Sequence, residues 1–471
     1  MSKQDLFAWI DEKEDFLRDI AHKIWEKPEV GLVEEYASEL QQNALRDAGF
    51  QITTGVGEEP TAFVAEYGSG RPILGILGEY DALPGLSQKV CAERDPVKKG
   101  APGHGCGHNL LGTAGVGAAL ALKEAIDSKE VSGTVRYYGC PAEETLVGKV
   151  FMARDGVFDD LDACLTWHPM SSNNVWAASS LAMNSVAFHF TGTPAHAAAA
   201  PHMGRGALDG VELMNVAANY MREHMIDQAR IHYSITDGGG EPNIVPPTAS
   251  VWYYIRSPER DEVEELFERL KKIAEGATLM TETEVEWEFL AACYNTLPND
   301  ALGEVILDNL KEAGPPDYTD EDIAFAKELV GTFSKGQKRS VMKGMNAPDE
   351  IIKKDLHDEI AETFDKGHVL PGSTDVGDVS WIVPLAQFTT ATWPVGTASH
   401  SWQATAASGS GIGYKGMKLA AKTLAGALYD LFQDESKIKA AWEEFEEATK
   451  DRKYETPLPE GAKPPFHQLE H

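Results

Sequence analysis

Apolar residues follow two different patterns along the chain. Short, strongly apolar runs (TAFVAEY, RPILGILGEYD, TVRYYGC and DACLTWH) lie before residue 170, and stretches of helical periodicity separate several of them. Continuous apolar runs are typical of strands buried on both faces, and their alternation with helices indicates a mixed or parallel sheet. We therefore predict an α/β fold in which helices cover both faces of a mixed sheet.

Helical periodicity predicts the elements around that sheet. One helix is expected before Lys27-Pro28, with an apolar stripe formed by Phe7, Ile10, Phe16 and Ile20. A second helix should end near Gly49, a third should span about 110–126, and a closing helix should span 414–432. Residues 300–370 are helical and charged in pattern.

Residues 182–292 have their own pattern. The predicted order is strand 182–191, helix 204–223, strand 231–236, strand 248–256, helix 259–276 and strand 283–291. This β-α-β-β-α-β order is the ferredoxin-like motif. We predict that residues 1–181 and 293–471 form a catalytic domain into which 182–292 is inserted as a lid or dimerisation domain.

Composition narrows the classes of function. The chain has 471 residues, of which 42% are hydrophobic, so two or three domains with a large core are expected. The net charge is −32, which argues against nucleic acid and anionic membranes as partners. Such an acidic composition is also compatible with a halophilic source. No apolar run approaches the roughly 20 residues of a membrane span, and the polar N-terminus lacks a signal peptide's apolar core. A cytoplasmic location is predicted; the final Leu469-Glu470-His471 resembles the start of an expression tag.

Five polar residues stand where predicted strands or helices begin or end: Cys106, His108, Glu144, His168 and His400. Sulfur, imidazole and carboxylate together favour zinc, manganese, nickel or cobalt over calcium or magnesium. Ligands bind at the carboxyl ends of strands in open α/β sheets, which is where these residues are expected. Five protein ligands and a water suit a pair of divalent ions.

Two further carboxylates extend this hypothesis. Glu143 lies beside Glu144, where a hydrolytic metalloenzyme would keep its general base, and Asp81 follows a strand from which it would orient a histidine ligand. Taken singly, His168 is more typical of a core histidine and Glu143-Glu144 of a solvated turn. Their joint placement at the ends of elements favours the metal centre.

Other hydrolase and cofactor signatures are missing. No serine has glycine both two residues before and two residues after it, as a serine-hydrolase elbow requires, and no histidine is followed by glutamate, as H-E-x-x-H requires. The run GSGIGYKG contains glycines at G-x-G-x-x-G spacing, but no strand of the kind that precedes a dinucleotide fingerprint leads into it.

Several motifs together resemble one known family over nearly the whole chain. They are GEYDALPG, GHGCGHN, PAEE, GTPAHAAAAPHMGRGALDG and the residues around His400. The family comprises metal-dependent amidohydrolases and exopeptidases, including aminoacylases, hippurate hydrolases and indoleacetyl-amino-acid hydrolases. CGHNLLGT, PAEET…GK and SHSWQATAASGSGIGYKGM resemble a subgroup, the B-type subunits of p-aminobenzoyl-glutamate hydrolase.

The resemblance implies roles for particular residues. The five ligands would bind two divalent ions, with Cys106 at the position of a bridging aspartate in other members. Glu143 would be the general base for an activated water that cleaves N-acyl amino acids, such as p-aminobenzoyl-glutamate. His196 would reach from the lid into the partner subunit's site of a homodimer and stabilise the oxyanion. Asn243 and Arg256 would bind the substrate carboxylate.

Departures and alternatives remain at this stage. Glu79 stands where other members have a histidine ligand, and Asn109 where many members of the subgroup have aspartate. A dipeptidase of the same fold is one alternative, and a non-catalytic metal-binding subunit that needs a partner chain is another. Trp381, Trp393 and Trp402, near the last ligand, are either core residues or a stacking surface for an aromatic acyl group.

Overall fold

The computed structural model describes residues 2–466, so Leu469-Glu470-His471 lie outside the described residues. Eleven strands occur in this part of the chain: β1 Gln51–Thr54, β2 Phe63–Ser69, β3 Ile73–Glu79, β4 Gly133–Cys140, β5 Ala163–Met170, β6 Asn174–Trp176, β7 Ala182–Thr191, β8 Arg230–Asp237, β9 Thr248–Ser257, β10 Glu284–Cys293 and β11 Leu385–Ala391.

Fifteen α-helices occur in the same residues: α1 Lys3–Glu12, α2 Glu14–Glu26, α3 Glu35–Asp47, α4 His108–Asp127, α5 Gly148–Arg154, α6 Ala207–Met221, α7 Arg260–Thr281, α8 Asp300–Ala313, α9 Asp320–Val330, α10 Gln337–Gly344, α11 Asp349–Ile352, α12 Val376–Ser380, α13 Trp402–Ser408, α14 Gly411–Gln433 and α15 Glu435–Ala448.

The first of two units comprises residues 2–179, 297–370 and 378–455. It contains a seven-stranded sheet in the order β1-β2-β4-β3-β5-β11-β6. The four central strands β4, β3, β5 and β11 are mutually parallel, whereas β1, β2 and β6 pair antiparallel with their neighbours. Helices α4, α8 and α14 contact the central strands, and their small side chains are largely buried. The mixed α/β class predicted from the apolar runs is confirmed.

The second unit comprises residues 180–296 together with 371–377 and 456–466. Its four strands form an antiparallel sheet in the order β10-β7-β9-β8, which is the ferredoxin-like arrangement. Helices α6 and α7 bury Val211, Met214, Leu266 and Leu270 in a core that they share with the strands. The predicted β-α-β-β-α-β order is confirmed, and α7 continues beyond its predicted end to Thr281.

The predicted N-terminal helix is wrong in one respect. The chain breaks at Lys13, whose φ of −96° and ψ of 8° are not helical, so two short helices replace one. The break changes which face of the second helix packs against the core. Leu17 is therefore buried, while Phe16 remains 43% exposed.

Among residues 2–466, no helix is both long enough and apolar enough to cross a membrane.

Candidate metal centre

The polar residues singled out in the first unit meet at one edge of its sheet. Each follows, or lies near the end of, a parallel strand or begins the helix beside it: Asp81 after β3, Cys106 and His108 at the start of α4, Glu143 and Glu144 after β4, His168 in β5 and His400 after β11. The carboxyl ends of parallel strands share an edge, so the topology brings together residues that are distant in sequence.

Two groups of possible ligands share one residue. Cys106, His108 and His168 offer ligand atoms within 4.8 Å of one another, and so do Cys106, Glu144 and His400. Between them the two groups contain all five predicted ligands. Cys106 belongs to both, which is the position that a ligand between two ions would occupy.

Hydrogen bonds orient the imidazole rings. Nδ1 of His168 donates a hydrogen bond to the carbonyl oxygen of Pro169 over 2.8 Å. Its Nε2 therefore has a free lone pair, and this atom lies 3.5 Å from the Sγ atom of Cys106. Nδ1 of His108 lies 2.8 Å from Oδ1 of Asp81. Both rings therefore direct Nε2 into the centre, as metal-ligating histidines do when a carbonyl or carboxylate holds the other nitrogen.

Asp81 supports two site residues at once. Its Oδ1 accepts a hydrogen bond from Nδ1–H of His108, and its Oδ2 accepts a hydrogen bond of 2.9 Å from the backbone N–H of Glu144. Burial by itself would raise the pKa of Asp81, but the neighbouring His108 and the two hydrogen bonds lower it below its usual value. An ionised Asp81 thus fixes a histidine and the loop of the two glutamates.

Glu79 and Lys149 form a buried ion pair that the sequence interpretation did not include. The Nζ atom of Lys149 lies 2.7 Å from Oε1 of Glu79, and the two side chains are 0% and 2% exposed. Oε2 of Glu79 lies 3.2 Å from Nε2 of His108, and Glu79, His108 and Glu143 form a third group of potential ligands. Two features of the sequence could have indicated this pair: the carboxylate that ends the apolar strand ILGILGE and the lysine inside the apolar helix GKVFMAR.

The protonation of the remaining groups reflects their burial. Burial, reinforced by Glu144, raises the pKa of the Cys106 thiol well above its usual range. Burial and the neighbouring His108 lower the pKa of His168 to about 4, so this imidazole is neutral at pH 7. The hydrogen bond to Glu144 raises the pKa of His400, whose Nε2 lies 3.2 Å from Oε2 of Glu144.

Buried polar atoms without hydrogen bonds show that the residues fit divalent ions. Oε2 of Glu79, Nε2 of His108 and Oε1 of Glu144 are buried and form no hydrogen bond among the described residues, and the first two of these atoms face each other at 3.2 Å. Such atoms are costly to bury unless something else satisfies them. All three point to one cluster that also holds a thiol and two more imidazoles, which is a donor set for a transition-metal ion.

Local backbone conformations hold the two ends of the centre together. His400 has a φ of 58°, and its N–H donates to the carbonyl oxygen of Gly105 over 3.0 Å. Gly107 has a φ of 77°, and a Cβ at that position would lie 2.8 Å from Pro169. Only glycine adopts this turn without strain or a clash, so the glycine-rich motif allows Cys106 and His108 to face the same centre.

Glu34 supports the loop of the two glutamates from behind. Its carboxylate accepts hydrogen bonds from the N–H of Ala142 at 2.8 Å and from the hydroxyl of Thr61 at 3.1 Å. Burial, and after it the charge of Asp81, raise the pKa of Glu34 to about 8.

Asn109 has a structural role that aspartate does not match. Its Nδ2 donates to the carbonyl oxygens of Ala21 and Ser408, at 3.3 and 3.2 Å. A carboxylate would leave both buried carbonyls without this donor.

The three predicted lid residues lie in the second unit. His196 is exposed, and its Nδ1 accepts hydrogen bonds from the N–H groups of Ala198 and Ala199, so its other nitrogen carries the proton. The carbonyl oxygen of Asn243 accepts from the N–H of Ala197, which places His196 and Asn243 on adjoining segments. Arg256, within β9, has its guanidinium 5.4 Å from the ring of Tyr254, and its Nε is buried without a hydrogen-bond partner among the described residues.

Comparison with known proteins identifies relatives of the whole chain. Residues 181–279 match the family model of the peptidase dimerisation domain of the M20 family. The B component of the p-aminobenzoyl-glutamate hydrolase of Escherichia coli is 42% identical over 98% of this chain and 99% of its own length. The Xaa-Arg dipeptidase of mouse is 31% identical over 72% of this chain and 77% of its own length.

Solved structures share the fold. An aminobenzoyl-glutamate utilization protein from Klebsiella pneumoniae superposes with a TM-score of 0.61 at 17% identity, over 90% of this chain and 98% of its own. A dinuclear metal-binding peptidase of the M20 family from Bacillus subtilis superposes with a TM-score of 0.54 at 15% identity, over 90% and 99%. The 42% identity to the E. coli protein extends over nearly the full length of both chains, and the matched dimerisation domain and the cluster of potential ligands agree with it. The chain therefore belongs to the M20 family of metal-dependent peptidases and amidohydrolases.

Proposed function

We propose that this enzyme hydrolyses the amide bond of N-acyl amino acids with an aromatic acyl group, of the kind represented by p-aminobenzoyl-glutamate. The observation that carries the proposal is the pair of ligand groups that share Cys106, with the carboxylate of Glu143 beside them. The 42% identity to the E. coli protein over the full length supports the choice of substrate class.

We propose further that Cys106, His108, Glu144, His168 and His400 hold two divalent ions, which are zinc, manganese, nickel or cobalt. The sulfur and nitrogen donors and the buried atoms without partners support this assignment. Divalent ions held there would polarise the substrate carbonyl and lower the pKa of water at the site.

Glu143 is the proposed general base. It is 8% exposed, and its Oε2 lies 3.9 Å from Nε2 of His108, so it borders the ligand cluster without taking one of the five ligand positions. In this position its carboxylate would accept a proton from the attacking water and return it to the departing amine. A positioned general base of this kind contributes about 100- to 10,000-fold to the rate.

Asp81 and Glu79 would act through other residues. Asp81 keeps the proton of His108 on Nδ1 and the lone pair of Nε2 directed inward. Glu79, held ionised by Lys149, places a second negative charge beside the same imidazole, at its Nε2 atom. Both are therefore positioning residues for His108 in this proposal.

The proposed assembly is a homodimer in which His196 of one chain stabilises the oxyanion in the other, and Asn243 and Arg256 bind the substrate carboxylate. The match to the dimerisation domain supports association through the second unit. Large apolar side chains exposed there also support it: Tyr220 67%, Leu279 84% and Met280 64%. The alternative assembly includes a second type of subunit, because relatives of this chain are named as two different subunits of one hydrolase.

One experiment tests the function. The purified protein is analysed for metal and assayed on p-aminobenzoyl-glutamate, benzoyl-glycine, an N-acetyl amino acid and an Xaa-Arg dipeptide, before and after chelation. We expect hydrolysis of the aromatic acyl amino acids, loss of activity on chelation and recovery with added divalent ion. Preferential cleavage of the dipeptide would favour a dipeptidase, and metal binding without turnover would favour a non-catalytic subunit.

A further inference from the structure

A cavity of about 290 Å³ opens beside the last ligand of the metal centre. It is lined by residues of the loop after Asp81 and by the segment of His400: Gly85, Leu86, Ser87, Arg94, Lys99 and His400, with Trp402 among the others. All of these residues belong to the first unit. His400 lines the cavity and also belongs to a ligand group, so the cavity adjoins the candidate metal centre through this side chain.

The charged side chains that line this cavity are positive, whereas the protein as a whole is strongly negative. The chain has 74 acidic and 42 basic residues, yet the only charged side chains among the lining residues, apart from the titratable His400, are Arg94 and Lys99. Neither cation forms an ion pair with any residue between 2 and 466. In the same loop Lys89 does have a partner, with its Nζ 2.7 Å from Oδ2 of Asp95.

Hydrogen bonds order the loop that carries the two cations. Gln88 is 2% exposed; its Nε2 donates to the carbonyl oxygen of Glu93 at 2.6 Å, and its Oε1 accepts from the N–H of Asp95 at 3.0 Å. The N–H of Ser87 donates to the carbonyl oxygen of Ala101 at 2.9 Å, which closes the base of the loop. These hydrogen bonds fix the backbone of the loop, so Arg94 and Lys99, whose side chains are exposed, extend from an ordered segment that lines the cavity.

We propose that this cavity is a subsite for a carboxylate, and that it selects substrates whose amino-acid half has an acidic side chain. Arg94 offers a planar pair of donors that matches a carboxylate, and Lys99 adds a second positive charge. The inference rests on the proposed function, in which the aminobenzoyl half is uncharged and the glutamate half has two carboxylates. One of these is assigned to Arg256 and Asn243, which leaves the side-chain carboxylate for the cavity.

The test compares substrates that differ only in charge. The values of kcat/KM are measured for p-aminobenzoyl-glutamate and p-aminobenzoyl-glutamine with the wild type and with Arg94→Gln, Lys99→Gln and the double variant. We expect each substitution to lower kcat/KM for the glutamate substrate by roughly 5- to 10-fold, while the value for the glutamine substrate stays within about twofold. Lys98→Gln is the matched control, since it removes the same charge from a neighbouring position that does not line the cavity.

Two further measurements separate the possible outcomes. The first repeats the comparison with 4-carboxybenzoyl-glutamine and benzoyl-glutamine; an effect of the variants confined to this pair would overturn the assignment to the amino-acid half. The second measures binding of free glutamate by calorimetry, which does not depend on turnover. Weaker binding in the double variant but not in Lys98→Gln would support the subsite even if no amide were cleaved, and equal binding in all three proteins would overturn it.

Discussion

Glu79 forms an ion pair with Lys149, in which its Oε1 lies 2.7 Å from the Nζ atom of the lysine. Its other carboxylate oxygen, Oε2, lies 3.2 Å from Nε2 of His108. Burial alone would raise the pKa of Glu79, but Lys149 and then His108 lower it below its usual value. A negative charge is thus held in the interior, next to the metal centre, by one lysine that is itself fully buried.

Lys149→Met should therefore destabilise the protein strongly. The substitution leaves a buried carboxylate without its counter-charge, which costs about 3–5 kcal/mol of unfolding free energy. Denaturant unfolding measures this loss, and adding Glu79→Gln to the variant should restore part of it. Lys123→Met, which breaks a partly exposed pair with Asp127, should change stability by no more than about 1 kcal/mol. A small effect of Lys149→Met would show that the pair is not important for stability.

The shared position of Cys106 leads to a prediction about metal stoichiometry. Cys106→Ala removes a residue from both ligand groups, whereas His400→Ala removes one from a single group. After dialysis against a weak chelator, elemental analysis should find the metal content of Cys106→Ala reduced at both sites and that of His400→Ala reduced by about one ion per chain. Equal losses in the two variants would contradict a bridging role for Cys106.

The adjacent glutamates should separate catalysis from metal binding. Glu143→Gln should keep the metal and lose about 100- to 10,000-fold in kcat, because the amide cannot take up a proton. Glu144→Gln should lose both metal and turnover. Metal analysis and steady-state kinetics on the same preparations make the comparison, and near-normal turnover of Glu143→Gln would exclude it as the base.

The raised pKa of Glu34 leads us to expect that the folded protein loses stability as the pH increases. Its pKa of about 8 lies above the usual 4.5, so between these values the folded protein retains a proton that the unfolded chain releases. The resulting stability is fully present below pH 4.5 and is lost as the pH rises through 8. In chelated protein, Glu34→Gln should flatten this decline in Tm, whereas Glu35→Gln, at an exposed neighbour, should retain the wild-type profile. Parallel profiles for all three proteins would contradict the prediction.

Subunit mixing tests the shared site. Glu143→Gln and His196→Ala homodimers should each have very low activity, since one lacks the base and the other the oxyanion donor, whose loss costs about 100- to 1000-fold. If His196 serves the partner subunit, exchange between the two variants produces heterodimers with one intact site and restores part of the activity. Mass spectrometry confirms the exchange, and absence of recovery after exchange would contradict the proposal.

The sequence predicted the topology best where periodicity was regular. Strand β10, EVEWEFLAAC, alternates clearly, and α7 has an apolar stripe through Val263, Leu266 and Leu270, so these two elements were evident in the sequence. The break at Lys13 was not predictable because both flanking segments have good helical composition. Its effect on Phe16 depends on a rotation of the helix about its axis, which no local pattern encodes.

The sequence indicated which polar side chains come together at the candidate site, but not the interactions that support them. Cys106 and His400 both stand at the ends of elements, and it was their joint placement with the other polar residues, and not either residue alone, that indicated a site. Lys149, by contrast, is a single lysine in an apolar helix, and its partner Glu79 is distant in sequence. Pairs of this kind arise from packing in three dimensions, and only the assembled sheet brings them together.

The bond from the His400 N–H to the Gly105 carbonyl joins the glycine turn of Cys106 to a late part of the chain. During synthesis, the turn, both glutamates and His168 are made long before His400 emerges. In the proposed centre, an ion acquired early would be held by an incomplete set of donors and would still exchange with the surroundings. The proposed pair of ions would therefore be fully coordinated only after the last quarter of the polypeptide has joined the site.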